Sequence, residues 1–220
     1  MSPMLNRRTL IAALAATSAL PALPAFAADG DKVSLLELAV PGPIPDIALG
    51  KPDAPVKVYE YASMTCPHCA RFDKEVFPAI KQKYIDTGKV QWTMREFPLD
   101  PRATAGFMLA RCIANNDATK YYTVLDVLFA QQDNWAFVDD AKQVLPGLFA
   151  IAKQSGFTQE QFQACLKDQT LYAGVNAVKD RGEKVFNIDG TPTFFINGVR
   201  KSGEISLDEF SQTADPFLKS

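Results

Sequence analysis

The sequence predicts an α/β fold in which a sheet domain is interrupted by an all-helical insert. Two observations predict it. A β-like stretch, a helical stretch and a second β-like stretch follow one another over 56–97, the strand–helix–strand unit of a parallel sheet. The chain then shows only helical patterning from 101 to about 185 and returns to strand at "TPTFFING". The two ends therefore share one sheet, and the helices between them cap it. The expected segments are a leader at 1–27, an arm at 28–55, sheet-domain parts at 56–98 and 173–220, and the helical insert at 99–172.

The leader has a basic pair, Arg7 and Arg8, an apolar run over 10–20, and Ala25-Phe26-Ala27 as a small-x-small cleavage site. This is an export signal cut after Ala27, and "NRRTLI" leaves both the Sec and the twin-arginine routes open. The apolar run is shorter than the ~20 residues a membrane span needs. The expected destination is the periplasm, an oxidising compartment where disulfides persist. Without the leader, 21 basic and 25 acidic residues remain. Nothing in that balance points to nucleic acid. Four cysteines in 220 residues are too few for a disulfide scaffold, so the core must supply most of the stability.

The arm carries "PGPIPDIALGKPDAP", whose five prolines argue for extended chain. "VKVYEYAS" alternates and is rich in β-formers, so 56–63 reads as a strand. From Pro67, Phe72, Val76, Ala79, Ile80 and Tyr84 recur at helical steps, with a kink expected at Pro78. A second strand is expected at 90–97. In the insert, Tyr121, Val124, Leu125, Leu128 and Phe129 make an apolar stripe that reads as core. Thr158 and Gln161 fit a capping box, as do Ser206 and Glu209 before the last helix. Asn197-Gly198 is a hairpin turn signal, with the return strand at about 199–204.

Chemistry concentrates at Cys66-Pro67-His68-Cys69, which contains the chain's single histidine. A structural zinc site needs four ligands and only one pair is present, so no metal is expected. Haem attachment needs histidine where Ala70 stands. A purely structural disulfide would explain the cysteines but not their setting. Cys66 falls between a strand and a helix, with Pro67 at the first helical position. Its sulfur then faces the positive end of the helix and free N–H groups, which favour thiolate, as does a protonated His68. A stabilised thiolate is also a good leaving group, so the disulfide is easily reduced. Cys69, one turn later, can resolve a mixed disulfide. Redox exchange is the favoured reading.

The leader, "EYASMTCPHC", the helical insert and "GTPTFFING" together resemble the DsbA family of thiol:disulfide oxidoreductases, over nearly all of the mature chain. The resemblance implies a thioredoxin fold with an inserted helical domain. It implies that Thr191-Pro192 is a cis-proline loop that faces the cysteines and pairs with substrate peptide. It matches Glu60 to a buried acid that assists proton transfer, against the plain alternative of an outward-facing strand carboxylate. Thr191 departs from the valine of the best-known oxidases and is familiar in isomerases and reductases, whereas the Pro67-His68 pair is the oxidase pair. Cys112 shares a helix face with Ala105, Met108 and Leu109, and Cys165 lies with Phe162 and Leu166. A structural disulfide between them is expected, with two buried thiols as the alternative.

The function expected is an exported dithiol oxidase that needs no cofactor. Its partners are unfolded or reduced client polypeptides and, by the resemblance, a membrane quinone-linked reoxidising protein. A monomer is expected, because the arm is too short for a dimerisation domain. An isomerase or reductase on the same fold is the nearest alternative. A peptide- or metal-binding protein with inert cysteines is the more distant one.

Overall fold

The computed structural model describes residues 29–219, so the leader expected at 1–27 lies outside the described residues. The arm is not wholly extended. It carries one helical turn, α1 (Leu35–Leu38), and a two-residue strand, β1 (Ala48–Leu49). Its prolines keep the intervening chain open, while Leu38 is fully buried and anchors the turn. The arm touches both edges of the sheet. Lys32 bridges to Val199 at one edge, and β1 pairs antiparallel with the other.

Strand β2 (Val56–Ala62) leads into α2 (Pro67–Glu75). The helical path breaks at Val76, resumes as α3 (Phe77–Ile80) and widens into a π-helical turn at Lys81–Ile85. The break sits two residues before Pro78, which lacks the N–H needed to continue the helical bonding. Strand β3 (Val90–Glu96) follows. The helical insert runs through α4 (Pro101–Ala114), α5 (Ala118–Ala130), α6 (Gln132–Trp135), α7 (Val144–Gln154) and α8 (Gln159–Lys167). The long α9 (Gln169–Phe186) returns the chain to the sheet. The domain boundary expected after residue 172 falls inside α9, which Asp168 caps through the N–H groups of Thr170 and Leu171. A hairpin of β4 (Thr193–Ile196) and β5 (Val199–Ser202) and a final α10 (Leu207–Ala214) complete the fold. Asn197 and Gly198 both have positive φ, at 47° and 86°, as a tight two-residue hairpin turn requires.

The five strands lie in the order β1-β3-β2-β4-β5, with β2 and β3 parallel and the other pairs antiparallel. On one face Val56, Val58 and Ala62 of β2 join Trp92, Phe194 and the insert's buried side chains in the main core. On the other, Tyr61, Phe195 and Phe97 pack with Val178 and Phe186 of α9 and with Leu38 of the arm. Helix α4 reaches the loop before the cysteines because residue 106 is glycine. A Cβ there would lie 3.0 Å from the Trp135 ring and 3.3 Å from Met64.

Cys112 and Cys165 form a disulfide that ties α4 to α8, with Cα atoms 6.1 Å apart. It closes a loop of 53 residues. Replacing both cysteines with alanine is expected to cost about 2–4 kcal/mol. Urea unfolding of the double variant checks this, and thiol exchange at Cys66 should be unchanged.

Candidate active site

Cys66 is the N-cap of α2, with Pro67 at the first helical position. Its backbone is extended and its sulfur accepts the Cys69 N–H at 3.4 Å. The cap that serine or aspartate usually supplies is here a sulfur, which puts the reactive atom at the positive helix end. The Cys66 pKa falls to about 5. The largest cause is the Cys69 thiol donating to the Cys66 sulfur; the Cys69 and His68 backbone N–H groups and Thr191 add to it, against the cost of burial. Cys69, 1% exposed, goes the other way: burial pushes its pKa well up, and the charge on Cys66 pushes it further. One thiol is thus ionised at neutral pH and its neighbour is kept protonated.

Thr191-Pro192 is a cis peptide bond. The loop faces Cys66, whose sulfur lies 3.3 Å from the Thr191 carbonyl oxygen and donates to it when protonated. The Thr191 hydroxyl is the one buried side-chain oxygen or nitrogen, among the described residues, that has no hydrogen bond. It is a donor in waiting beside a sulfur that becomes an anion. Thr191→Val is expected to raise the Cys66 pKa, because the Thr191 side chain is one of the groups that lower it, at little cost in stability, since the hydroxyl makes no well-formed hydrogen bond. Titration of the thiolate absorbance in the ultraviolet checks the first part and thermal unfolding the second.

His68 is exposed, and its ring meets surface groups. Nδ1 meets Glu204 and also faces the Arg71 guanidinium at 2.8 Å. Arg71 Nε donates to Glu204 at 2.7 Å. The His68 backbone N–H is among the groups that lower the Cys66 pKa. Glu60 points inward, 2% exposed, on the face of β2 that carries Val58 and Ala62. Trp92 Nε1 donates to it at 3.1 Å. Burial, followed by the charge of Asp73, raises its pKa to about 8.

A carboxyl with a raised pKa binds its proton more tightly folded than unfolded, so stability falls as pH rises from about 4.5 to about 8. In the oxidised protein, where Cys66 does not titrate, Glu60→Gln is expected to flatten this slope. Each pKa unit is worth about 1.4 kcal/mol, and urea unfolding between pH 5 and 8 measures it.

Sequence reasoning missed Gln132. Its side chain is 6% exposed and donates to the Met64 carbonyl at 2.9 Å and the Cys66 carbonyl at 3.1 Å. It pins the active-site loop to the insert. Ser63 and Thr65 do related work, since Thr65 Oγ1 donates to Asp100 at 2.6 Å and Ser63 Oγ accepts the Leu99 N–H at 3.2 Å. A lone glutamine in "AQQDNW" carries no signal of such a contact, because its partners stand 66 and 68 residues away.

A family model described as thioredoxin matches residues 44–215. The chain belongs to the thioredoxin family and is of the DsbA type. It is similar to alpha-DsbA1 of Wolbachia pipientis, at 34% identity and a TM-score of 0.75, over 83% of this chain and 96% of that one. It is 30% identical to a probable disulfide bond formation protein D of Bacillus cereus, over 78% of each chain. It is 34% identical to a putative protein-disulfide oxidoreductase of Rickettsia conorii, over 79% of this chain and 61% of the relative. The chain thus spans about three fifths of the length of that Rickettsia protein. In this thioredoxin-family chain the cysteine pair, the cis-proline loop and the buried Glu60 converge at one end of β2 and β4.

Proposed function

We propose that this chain is an exported thiol:disulfide oxidoreductase that introduces disulfides into unfolded client proteins through Cys66 and Cys69. The observation that carries the reading is the asymmetry of the pair: the Cys66 sulfur caps α2 and accepts the Cys69 N–H, which favours its thiolate, while Cys69 is 1% exposed and burial holds it protonated. Stabilising the Cys66 thiolate stabilises the reduced protein relative to the oxidised one, which makes the disulfide a better oxidant.

A client thiolate attacks the Cys66 sulfur of the oxidised pair. The Cys66–Cys69 bond breaks, a client–Cys66 mixed disulfide forms, and Cys69 leaves and takes up a proton. Glu60, whose charge acts on Cys69, supplies it. A second client thiolate then attacks the client sulfur of the mixed disulfide, and Cys66 leaves as a stable thiolate. Two electrons pass from the client dithiol to the pair, and no cofactor takes part. The Thr191-Pro192 loop aligns the client backbone beside Cys66. A membrane quinone-linked protein takes the electrons on. The protein works as a monomer in the periplasm after removal of 1–27.

The second reading is an isomerase or reductase, and Thr191 is the residue that favours it. The two separate in one pair of assays. An oxidase oxidises reduced, unfolded ribonuclease rapidly and in stoichiometric amounts, yet reactivates scrambled ribonuclease poorly. The reverse pattern would reassign the protein.

A further inference from the structure

Cys69 cannot exchange its proton with solvent directly, being 1% exposed, and Glu60 behind it is also sealed, at 2%. A solvent-open cavity of about 580 Å³ has α2 in its wall. Ala70 and Asp73 of α2, Phe77, Asp126 and Phe129 of α5, and Gln132 line it. Asp73 stands four residues after Cys69, one turn along the same helix. Its carboxyl forms no hydrogen bond and no ion pair among the described residues.

The cavity's cations do not change this. Lys81 is bonded to Asp86 at 2.6 Å, and Arg71 is held by Glu204. Lys74 and Glu75, of opposite sign, adjoin Asp73 on its own helix and also line the cavity. Asp126 and Asp133 add negative charge from α5 and α6. Burial and then the charge of Asp126 raise the Asp73 pKa to about 8, the value Glu60 also reaches. Asp73 in turn raises Glu60 through its charge. Two carboxyls are therefore raised in the same direction, one sealed beneath the cysteines and one in the wall of a solvent-open cleft. Carboxyls of similar proton affinity exchange a proton at little cost in free energy.

We propose that Asp73 connects buried Glu60 to solvent through this cavity, so that the proton gained or lost by Cys69 travels by way of Glu60 and Asp73. This rests on the reading of Glu60 as the proton partner of Cys69. When Cys69 attacks a mixed disulfide on Cys66, its S–H bond breaks and Glu60 takes the proton. Glu60 passes it, across one water admitted from the cavity, to Asp73, and Asp73 releases it to solvent. Reduction by a client runs the path in reverse. Asp73 acts through Glu60 and does not touch sulfur.

The test follows the two steps by which glutathione disulfide oxidises the reduced full chain, with acid quench and mass spectrometry. Cys66 attacks first, and Cys69 then resolves the mixed disulfide. Asp73→Asn keeps the shape of the side chain and is expected to leave the first step unchanged. General acid–base groups typically contribute 10²-fold or more, and a path with water to fall back on should lose less, so the second step should slow about tenfold near pH 7. Its bend near pH 8 should weaken, and the Glu60 titration, read by carboxyl infrared difference spectra, should move down. Asp126→Asn, at the exposed rim, should move the bend to lower pH without slowing the step at high pH. If Glu60→Gln slows resolution but neither Asp73→Asn nor Asp126→Asn alters its pH profile, the path through the cavity is wrong. If Glu60→Gln itself has no effect, the reading of Glu60 is what has failed.

Discussion

Cys66→Ala is expected to abolish thiol exchange with glutathione and with reduced clients, a loss on the order of 10³-fold or more. No other group can replace its sulfur. Cys69 is buried and held protonated, and Cys112 and Cys165 are bonded to each other. The variant also removes a cap, because the Cys66 sulfur accepts the Cys69 N–H. That loss is worth about 1 kcal/mol. Cys66→Ser separates the two effects: it restores an N-cap acceptor and should recover the stability while the activity stays lost. Cys69→Ala should behave differently from both. Cys66 keeps its nucleophile but loses the thiol donor that contributes most to its low pKa. Its titration should shift up, and the client–Cys66 mixed disulfide should persist long enough to isolate by non-reducing electrophoresis.

The largest effect expected on stability lies away from the cysteines. Arg111 of α4 is paired through Nε with Glu96 at the end of β3, and both are buried, at 9% and 1% exposure. Tyr121 of α5 donates to the same carboxylate at 2.7 Å, and Arg111 Nη1 donates to the Pro45 carbonyl of the arm at 3.0 Å. One ion pair thus joins the sheet, two helices of the insert and the arm. Arg111→Met leaves the Glu96 charge sealed with Tyr121 as its one remaining donor. Removing one partner of a buried pair typically costs about 3–5 kcal/mol. Arg111→Met with Glu96→Leu removes both charges and should recover much of that loss. Urea midpoints of the single and double variants check both statements. A single variant within about 0.5 kcal/mol of the parent would show that solvent reaches Glu96.

Much of this architecture was legible in the chain because it rests on local chemistry. The alternation of 56–63 gives β2, and the stripe from Tyr121 to Phe129 gives the buried face of α5. The capping boxes at Thr158 and Ser206 are both formed. Strand β1 was not legible, since two residues carry no period and exist only because β3 offers an edge. The join between α8 and α9 was not legible either, since Asp168 ends α8 and caps α9 with no break in the helical pattern.

The site divides in the same way. The Cys66 N-cap follows from a strand running into a helix with proline at its first position. The long-range partners do not. Asp73 sits in "RFDKE", which reads as a solvated helix face, and only the packing of α5 turns it into a carboxyl in a cavity wall. Glu204 meets Arg71 across 133 residues and binds the His68 ring as well. Arg111 stands beside Cys112 on a helix, where an arginine is ordinarily solvated; its buried partner is fixed by how α4 crosses β3.

The central claim is that the Cys66 thiolate is stabilised enough to make the pair oxidising. The reduction potential of Cys66–Cys69, by equilibration of the mature chain with glutathione buffers, tests it most directly. Thioredoxin, with a cysteine pKa of about 7, lies near −270 mV, and a pKa of about 3.5 accompanies about −120 mV. A Cys66 pKa of about 5 should therefore place this pair near or above about −180 mV. A potential close to about −270 mV would contradict the account and make the protein a reductase.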